Sequence, residues 1–321
     1  MSLQNLLCGE DASFVDSDEC AFLPSETDFP ATVDDDEDED ESVAVFLGFE
    51  GEFLPGIGFP ASLRSRPFEA SARREAVDWI LEVRSYYSFS PLTAYLAVNY
   101  MDRFLSVHCL PQANGWPLQL LSVACLSLAA KMEETVVPSL VDLQVGQTKF
   151  IFEPRTICRM ELLILTKLNW KLRSVTPFNF IDTFARKIDS SRLFTRFLVS
   201  RANQLILDTI RVVDFGDFRP SSIAAAAALR SADEIPDLAR TDHGSAASWG
   251  TGMDKDSISN CCRLMQNNLT ESDHRSASMT PPKFRVTIPQ SPVTVLERNE
   301  GSSAVSSSPS YSSSNKRRRL N

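Results

Sequence analysis

The sequence predicts an all-α fold of two consecutive helical repeats, flanked by a disordered acidic N-terminal tail and a disordered Ser/Pro-rich C-terminal tail. Three observations support this fold class. Apolar residues recur at spacings of three and four from about residue 67, prolines stand where successive helices would begin, and the layout before Thr176 recurs after it. The predicted boundaries are 1–66 for the acidic arm, 67–175 and 176–270 for the two repeats, and 271–321 for the C-terminal tail.

The N-terminal arm is set apart by its charge. Residues 1–63 carry 17 acidic side chains and no lysine or arginine. The unbroken acidic run at 34–41 would oppose packing by self-repulsion, so the arm is predicted to be disordered. The remainder of the chain carries 25 acidic against 32 basic side chains. This surplus is too small for general binding to a phosphate backbone, and we expect no direct nucleic-acid partner.

The first repeat is predicted from helix start signals and helical period. Its third helix is apolar nearly all round over 118–130, with small residues that allow close approach of neighbouring helices, so we expect it at the centre of the bundle. The predicted starts are Pro67, Pro91, Pro117, Pro138 and Pro154.

The second repeat is predicted to follow the same layout. Its segments are 178–188, 193–213, an Ala-rich helix that begins at Pro220, and 254–267 after a capping Asp254. The Ala-rich helix resembles the small-residue centre of the first bundle.

Several classes of function are disfavoured by what the chain lacks. It has three histidines, and its seven cysteines show no spacing suited to a zinc site. Phosphate-binding loops, nucleophile elbows and paired catalytic carboxylates do not occur. The longest apolar segment, 118–130, is too short to cross a bilayer, and no signal peptide is evident. We therefore expect an intracellular protein with no cofactor, no metal, no membrane partner and no catalytic residues.

Four motifs in the first repeat resemble the cyclin box. Residues 72–83 resemble its opening helix, 99–106 its second, 124–134 its third and 159–163 its fifth. With these four motifs, the sequence of residues 91–100 and the N-terminal segment LLCGE at 6–10, the chain resembles the plant D-type cyclins. The resemblance is strong over 68–185 and weaker to about 270.

The resemblance implies a pair of consecutive five-helix cyclin-fold repeats that bind and activate a cyclin-dependent kinase at the G1/S transition. A rigid partner that holds the mobile helix and activation loop of a kinase in place switches on phosphoryl transfer without giving a catalytic group. The family also implies kinase inhibitor proteins as further partners and a location in the nucleus and cytoplasm.

Lys131 and Glu161 correspond by this resemblance to the kinase-binding lysine and its acidic companion. By spacing alone, Lys131 at the end of an apolar helix has another interpretation, in which it complements the helix dipole. Glu161 lies among apolar residues, where an ionised carboxylate needs a partner or a surface.

Two further pairs of residues follow from the resemblance. Arg73 and Asp102 match a structural ion pair that ties the first helix to the second. Trp79 and Glu82 match a shallow groove that recruits substrates carrying an Arg-x-Leu segment. We expect weak docking there, because Ala72, Glu75 and Ala76 stand where Met, Ile and Leu are usual and give little buried area.

Leu6, Cys8 and Glu10 match the L-x-C-x-E signature of ligands of retinoblastoma-type pocket proteins. Ordinary residue frequencies give roughly a 3% chance of this pattern in a chain of this length. An extended segment of this kind binds through backbone hydrogen bonds and alternate side chains. We therefore predict a retinoblastoma-related pocket protein as a second partner.

The C-terminal tail carries candidate regulatory sites. Thr280, Ser291 and Ser308 each precede a proline and are predicted phosphorylation sites. The terminal basic cluster is predicted to act in nuclear import and consists of Lys316, Arg317, Arg318 and Arg319.

Two alternatives to a kinase-activating cyclin remain open from the sequence. General transcription factors share the same repeat and bind DNA or promoter complexes. A non-activating helical scaffold would bind a kinase without raising its activity.

Overall fold

The computed structural model describes residues 35–111, 115–146, 148–236, 238, 249 and 252–276. This part of the chain is helical and contains no strand, which confirms the all-α prediction. Contacts divide the chain into a compact unit, Met1–His274, and a short unit, Arg275–Asn321, of which only the first two residues are described. The α-helices are α1 Asp35–Phe49, α2 Phe59–Arg64, α3 Pro67–Tyr87, α4 Pro91–Val107, α5 Trp116–Glu133, α6 Pro154–Lys167, α7 Phe178–Ile188, α8 Thr195–Thr209, α9 Pro220–Asp233 and α10 Lys255–Ser276; 3-10 helices span Glu50–Phe53 and Val213–Asp217.

The first repeat is built from α3 to α6 around α5. Every residue of α5 from Leu120 to Ala130 is buried, as expected for a central helix. Small residues such as Ala124 and Ala129 allow α4 and α6 to pack closely against it. Ser122 donates a hydrogen bond to the carbonyl of Leu118 at 2.8 Å, so its buried hydroxyl is satisfied within the helix.

The second repeat is built from α7 to α10, and α9 holds the central position. Ala224 to Ala228 are fully buried, with Ile223 and Leu229 nearly so. Alanine side chains let α7 and α8 approach the α9 backbone closely, which is why a helix with little side-chain volume lies at the centre of this core.

The helix predicted to begin at Pro138 does not form. Residues 139–144 make a single turn, closed by a hydrogen bond from the Leu143 amide to the Ser139 carbonyl at 2.9 Å. Two side chains of α3 bind the backbone of this turn and of the residue that follows it. Tyr87 donates to the Asp142 carbonyl and Trp79 to the Val145 carbonyl, so these carbonyls are satisfied by tertiary contacts rather than by a continued helix.

The predicted disorder of residues 1–66 is wrong for residues 35–64. α1, the 3-10 helix Glu50–Phe53 and α2 all lie in this range. The acidic run occupies the first turns of α1, where the helix dipole favours negative charge, and apolar residues follow in the later turns. One of them, Val43, is 2% exposed and belongs to the core of the second repeat. Residues 1–34 lie outside the described part of the chain.

Two other boundaries differ from the sequence prediction. The segment 193–213 is divided into α8, which begins at Thr195 and ends at Thr209, and a 3-10 helix from Val213. The last helix, α10, continues to Ser276, six residues past the predicted end of the second repeat at 270. Most of the predicted tail 271–321 lies outside the described residues.

The two repeats meet where α4 packs against α8. Tyr95 of α4 packs against the cores of both repeats, and its ring lies edge-on to Phe178 of α7 at 5.7 Å. Ile210, which follows α8, is buried in the core of the first repeat. The repeats therefore share apolar residues. None of the helices in the described ranges has the length and apolar character to span a membrane.

Candidate functional site

Lys131 and Glu161 are brought together from α5 and α6 at the surface of the first repeat. The Lys131 ammonium donates to the Glu161 carboxylate, with Nζ and Oε1 2.6 Å apart. The lysine side chain is 44% exposed and the glutamate side chain 9%. The carboxylate thus has the partner that its burial demands. Lys131 also stands in the last turn of α5, so the dipole interpretation of this residue is compatible with the same geometry.

Large apolar side chains are exposed beside this ion pair. Met132 follows Lys131, and Leu162 and Leu163 follow Glu161; they are 39%, 58% and 37% exposed. An exposed apolar patch next to a charge pair is typical of a protein interface. No sequence motif identified these three residues as part of an interface. A signal was present, since the buried face of α6 runs through Ile157, Met160, Glu161 and Ile164 and leaves Leu162 outside it.

A strained turn after α6 exposes an indole ring. Asn169 and Trp170 have left-handed backbones, with φ of 51° and 61°. Such a backbone conformation costs a non-glycine residue of order 1–3 kcal/mol. Trp170 is 67% exposed, so burial of its ring does not offset this cost. Its amide donates to the Leu165 carbonyl at 2.9 Å, which ties the turn to the end of α6. Exposed tryptophans are favoured anchors at interfaces.

Arg73 of α3 and Asp102 of α4 form a buried two-point ion pair. Nε and Nη2 of Arg73 donate to the two carboxylate oxygens at 2.7 and 2.6 Å. Nη1 of Arg73 has no hydrogen-bond partner among the described residues. The ion pair joins α3 to α4 inside the first repeat, and both side chains are almost fully shielded from solvent.

Trp79 lines a surface groove between α3 and α5. Its indole nitrogen donates to the Val145 carbonyl, so the ring is fixed at the groove wall. Ala72, Glu75 and Ala76 lie along the α3 side. The groove wall is therefore shallow and partly charged where a docked peptide would need apolar area. Phe150 and Lys149 close the opposite side.

Glu82 of α3 lies beside a glycine turn. Gly146 has a φ of +87°, and a Cβ at this position would lie 3.0 Å from the Glu82 carboxylate. The turn both needs the left-handed backbone and leaves room for Glu82. Glu82 does not line the groove, but its carboxylate lies by Gly146, next to Val145, whose carbonyl accepts the hydrogen bond from Trp79.

The remaining predicted site residues lie outside the described part of the chain. They are the pocket-protein motif Leu6, Cys8 and Glu10, the phosphorylation sites Thr280, Ser291 and Ser308, and the basic cluster Lys316, Arg317, Arg318 and Arg319.

Three of the described cysteines, Cys125, Cys261 and Cys262, are buried in the cores of the two repeats, whereas Cys109 and Cys158 are exposed. Burial raises the pKa of Cys125 and of Cys261, and it raises the pKa of Cys262 to about 11. Within the described ranges, His, Cys, Asp and Glu form no group of three or more that could hold a metal ion. The surface around Lys131 and Glu161 offers a partner apolar contact area and one ion pair.

Two protein-family models match the chain in tandem. The model described as "Cyclin, N-terminal domain" matches residues 59–173, and "Cyclin, C-terminal domain" matches residues 175–287. The junction between the matches falls between α6 and α7, where the structure separates the two repeats. The first match begins at Phe59, so it includes α2 as well as α3 to α6.

Curated relatives and solved structures agree with these matches. Cyclin-D1-1 of Arabidopsis thaliana is 46% identical over 309 residues, which cover 95% of this chain and 88% of the relative. Cyclin-D2-1 of Oryza sativa subsp. japonica is 48% identical over 286 residues, which cover 85% and 86%. The X-ray structure of a viral cyclin from herpesvirus saimiri has the same fold, with a TM-score of 0.55 at 17% identity over 63% of this chain and 86% of that chain.

Proposed function

Because this chain belongs to the cyclin family and is similar to plant D-type cyclins, we propose that it activates a cyclin-dependent kinase at the G1/S transition and directs it to a retinoblastoma-related protein. As a cyclin, the chain is a regulatory subunit of a protein kinase and not an enzyme. The kinase supplies the chemistry, and the cyclin holds the mobile parts of the kinase in their active arrangement.

The observation that carries kinase binding is the Lys131–Glu161 pair with its apolar surroundings. The pair joins the last turn of α5 to the middle of α6. Met132 and Leu162 provide apolar area that a partner helix would bury. Lys131 provides a half-exposed cation that would contact the polar edge of the same partner helix. Activation follows if the bound kinase helix is held in one position by this rigid surface.

Targeting to a retinoblastoma-related protein is supported by the L-x-C-x-E motif alone. Leu6, Cys8 and Glu10 would occupy the pockets, and the acidic residues that follow them suit a basic rim. The shallow groove beside Trp79 gives a reason for a separate recruiting motif, because it offers little apolar area to an Arg-x-Leu segment. Kinase inhibitor proteins that compete for the kinase-bound form are proposed as further partners.

Kinase activation and targeting are tested in one experiment on the full chain bound to a cyclin-dependent kinase. Lys131→Glu with Glu161→Ala removes the ion pair, and we expect kinase binding and activity on a generic peptide to be lost while helical content is retained. Cys8→Ala with Glu10→Lys should leave both intact and should lower phosphorylation of a retinoblastoma-related pocket fragment, because tethering raises its effective concentration.

The matched control for the first variant is Lys167→Glu, which reverses the charge of an exposed lysine on α6 outside the ion pair. Full kinase activation by the Lys131/Glu161 variant would show that this surface does not bind the kinase.

Binding without activation in the parent chain would support the scaffold alternative, and a mobility shift with duplex DNA would support the transcription-factor alternative. Equal calorimetric affinity of parent and variant peptides of residues 1–20 for the pocket domain would remove the targeting role.

We also propose that the C-terminal basic cluster directs the protein to the nucleus and that Thr280, Ser291 and Ser308 are phosphorylated by proline-directed kinases. A fluorescently tagged chain without residues 316–319 should shift toward the cytoplasm and still activate the kinase in vitro. An unchanged nuclear signal would contradict the import role. Mass spectrometry of protein from dividing cells would contradict the modification sites if the three residues carried no phosphate.

A further inference from the structure

The helix α1 is packed on the second repeat through its apolar residues. Val43 is buried among residues of that core at 2% exposure. The ring of Phe46 meets that of Phe180 in α7 edge-on, with centroids 6.0 Å apart. Val45, two residues from Val43, points away and is 52% exposed. This alternation shows that one face of α1 is docked while another remains in solvent.

The end of this segment is held by a buried carboxylate. Glu50 is 1% exposed and accepts two hydrogen bonds from Ser221, from the amide at 2.9 Å and from the hydroxyl at 3.0 Å. Ser221 lies in the first turn of α9, where the helix dipole also favours a negative group. Arg219 adds a longer charge contact at 3.8 Å. Glu50 thus fixes the 3-10 helix to the start of the central helix of the second repeat.

The residues that follow Glu50 reach the first repeat. The Phe53 carbonyl accepts a hydrogen bond from the Asn99 side chain at 2.9 Å, and the Arg103 guanidinium lies over the Phe53 ring at 5.5 Å from its centroid. Lys171 forms an ion pair with Glu52 at 2.7 Å. Residues 35–53 are therefore joined to both repeats, and we call this segment the anchor.

The anchor changes the length of chain that links the pocket-protein motif to the folded protein. The motif ends at Glu10 and the anchor begins at Asp35, which leaves the 24 residues 11–34 between them. Fully extended, this stretch spans at most about 80 Å. Without the anchor, the first packed element would be α2, which begins at Phe59, and the link would be the 48 residues 11–58, which span up to about 160 Å.

We infer that the anchor fixes the origin of the N-terminal arm on the second repeat and thereby sets the tether length between a bound pocket protein and the kinase complex. This inference rests on the proposed function of the arm. The effective concentration of a tethered substrate falls roughly as the −3/2 power of linker length, so release of the anchor, which lengthens the link from 24 to 48 residues, should lower it about 2.8-fold.

Two variants of the full chain test the tether in complex with the kinase. In the first, Val43→Asp with Glu50→Ala removes the buried side chain of α1 and the carboxylate that holds the 3-10 helix to α9. In the second, a Gly/Ser insertion of about 24 residues after Pro30 lengthens the tether and leaves every contact of the anchor intact. The measured quantity is the ratio of initial rates on a pocket-protein fragment below its KM and on a generic peptide. Both variants should lower this ratio about 2.8-fold.

The matched control is Val45→Asp, which places the same charge on the exposed face of α1 and should leave the ratio unchanged. Hydrogen exchange of residues 43–53 should show loss of protection in the Val43/Glu50 variant alone, with α5 still protected. If α5 also opens, Phe46→Ala with Glu50→Ala replaces that variant.

Two results would overturn the inference. A normal ratio in the insertion variant would show that tether length has no effect. A reduced ratio in the insertion variant together with a normal ratio in the anchor variant would show that the anchor does not set the length. Failure of the proposed function is recognised separately, because the Cys8→Ala, Glu10→Lys variant would then also show a normal ratio.

Discussion

Arg73 and Asp102 illustrate how much a single buried residue contributes to this fold. The side chains are 5% and 12% exposed, and each satisfies the charge of the other. Removal of one partner leaves an uncompensated charge inside the repeat, which is far more costly than loss of an exposed pair. The resemblance to the cyclin box predicts this pairing, whereas the unpartnered Nη1 of Arg73 appears only in the structure.

Asp102→Ala is expected to lower the free energy of unfolding by about 3–5 kcal/mol, because Arg73 would remain buried without its counter-charge. Urea denaturation followed by circular dichroism measures this change. The matched control is Glu69→Gln, which breaks the exposed pair with Arg66 at 48% and 36% exposure and should cost about 0.5 kcal/mol or less. Similar losses in the two variants would mean that burial of the Arg73 pair has no special weight.

Among the elements, α1 and the turn after Pro138 depart from the sequence expectation in opposite directions. α1 forms despite its acidic run, because the acids lie at its N-terminus and Val43 and Phe46 find a core to pack against. The segment after Pro138 has a favourable helix start but remains a turn, because Trp79 and Tyr87 bind its backbone carbonyls. In both elements the tertiary contacts outweigh the local signal.

Glu50, which lies in the anchor, should make the stability of the anchor depend on pH. Burial raises the pKa of Glu50 above its ordinary value of 4.5, although the bonds from Ser221 and the charge of Arg219 act in the opposite direction. Since the folded-state pKa is the higher one, the contribution of this carboxyl is fully present below pH 4.5 and is lost as the pH rises through the folded-state value.

Glu50→Gln should therefore gain stability relative to the parent as the pH is raised from about 4 to about 7, because the amide does not ionise and still bonds to Ser221. Unfolding free energies from urea titrations at several pH values give the difference between the two chains. Parallel pH profiles would contradict the assignment of a raised pKa to Glu50.

For the whole molecule, shared core residues couple the two repeats. Ile210 belongs to the chain of the second repeat and is buried at 6% exposure in the core of the first. Tyr95 packs against both cores, and the exposed Arg211–Asp78 pair at 2.9 Å adds a contact between α3 and the end of α8. We expect the repeats to unfold together rather than one after the other.

Ile210→Ala should lower the free energy of unfolding by about 2–5 kcal/mol and shift one common transition. The matched variant is Ile206→Ala, whose side chain is fully buried in the core of the second repeat alone. Differential scanning calorimetry should show a single peak for the parent and for both variants. Two peaks, with Ile206→Ala moving only one of them, would show that the repeats are thermodynamically independent.

The sequence by itself determines the local features of this protein. Helical period and prolines in first turns predict α3 to α6 and the central helices α5 and α9, because burial of a helix on all sides requires apolar and small residues throughout its length. The motifs of residues 72–83 and 124–134 predict the cyclin family and hence a regulatory role without catalytic residues.

Only the tertiary structure decides what is brought together across the chain. Lys131 and Glu161 are 30 positions apart, and no period within either helix requires their contact at 2.6 Å. The exposure of Leu162 depends on how α6 is rotated against α5, and the helix α1 is stabilised by a second repeat whose α7 begins 129 residues after Phe49. These features follow from packing between elements, which the local pattern of residues does not encode.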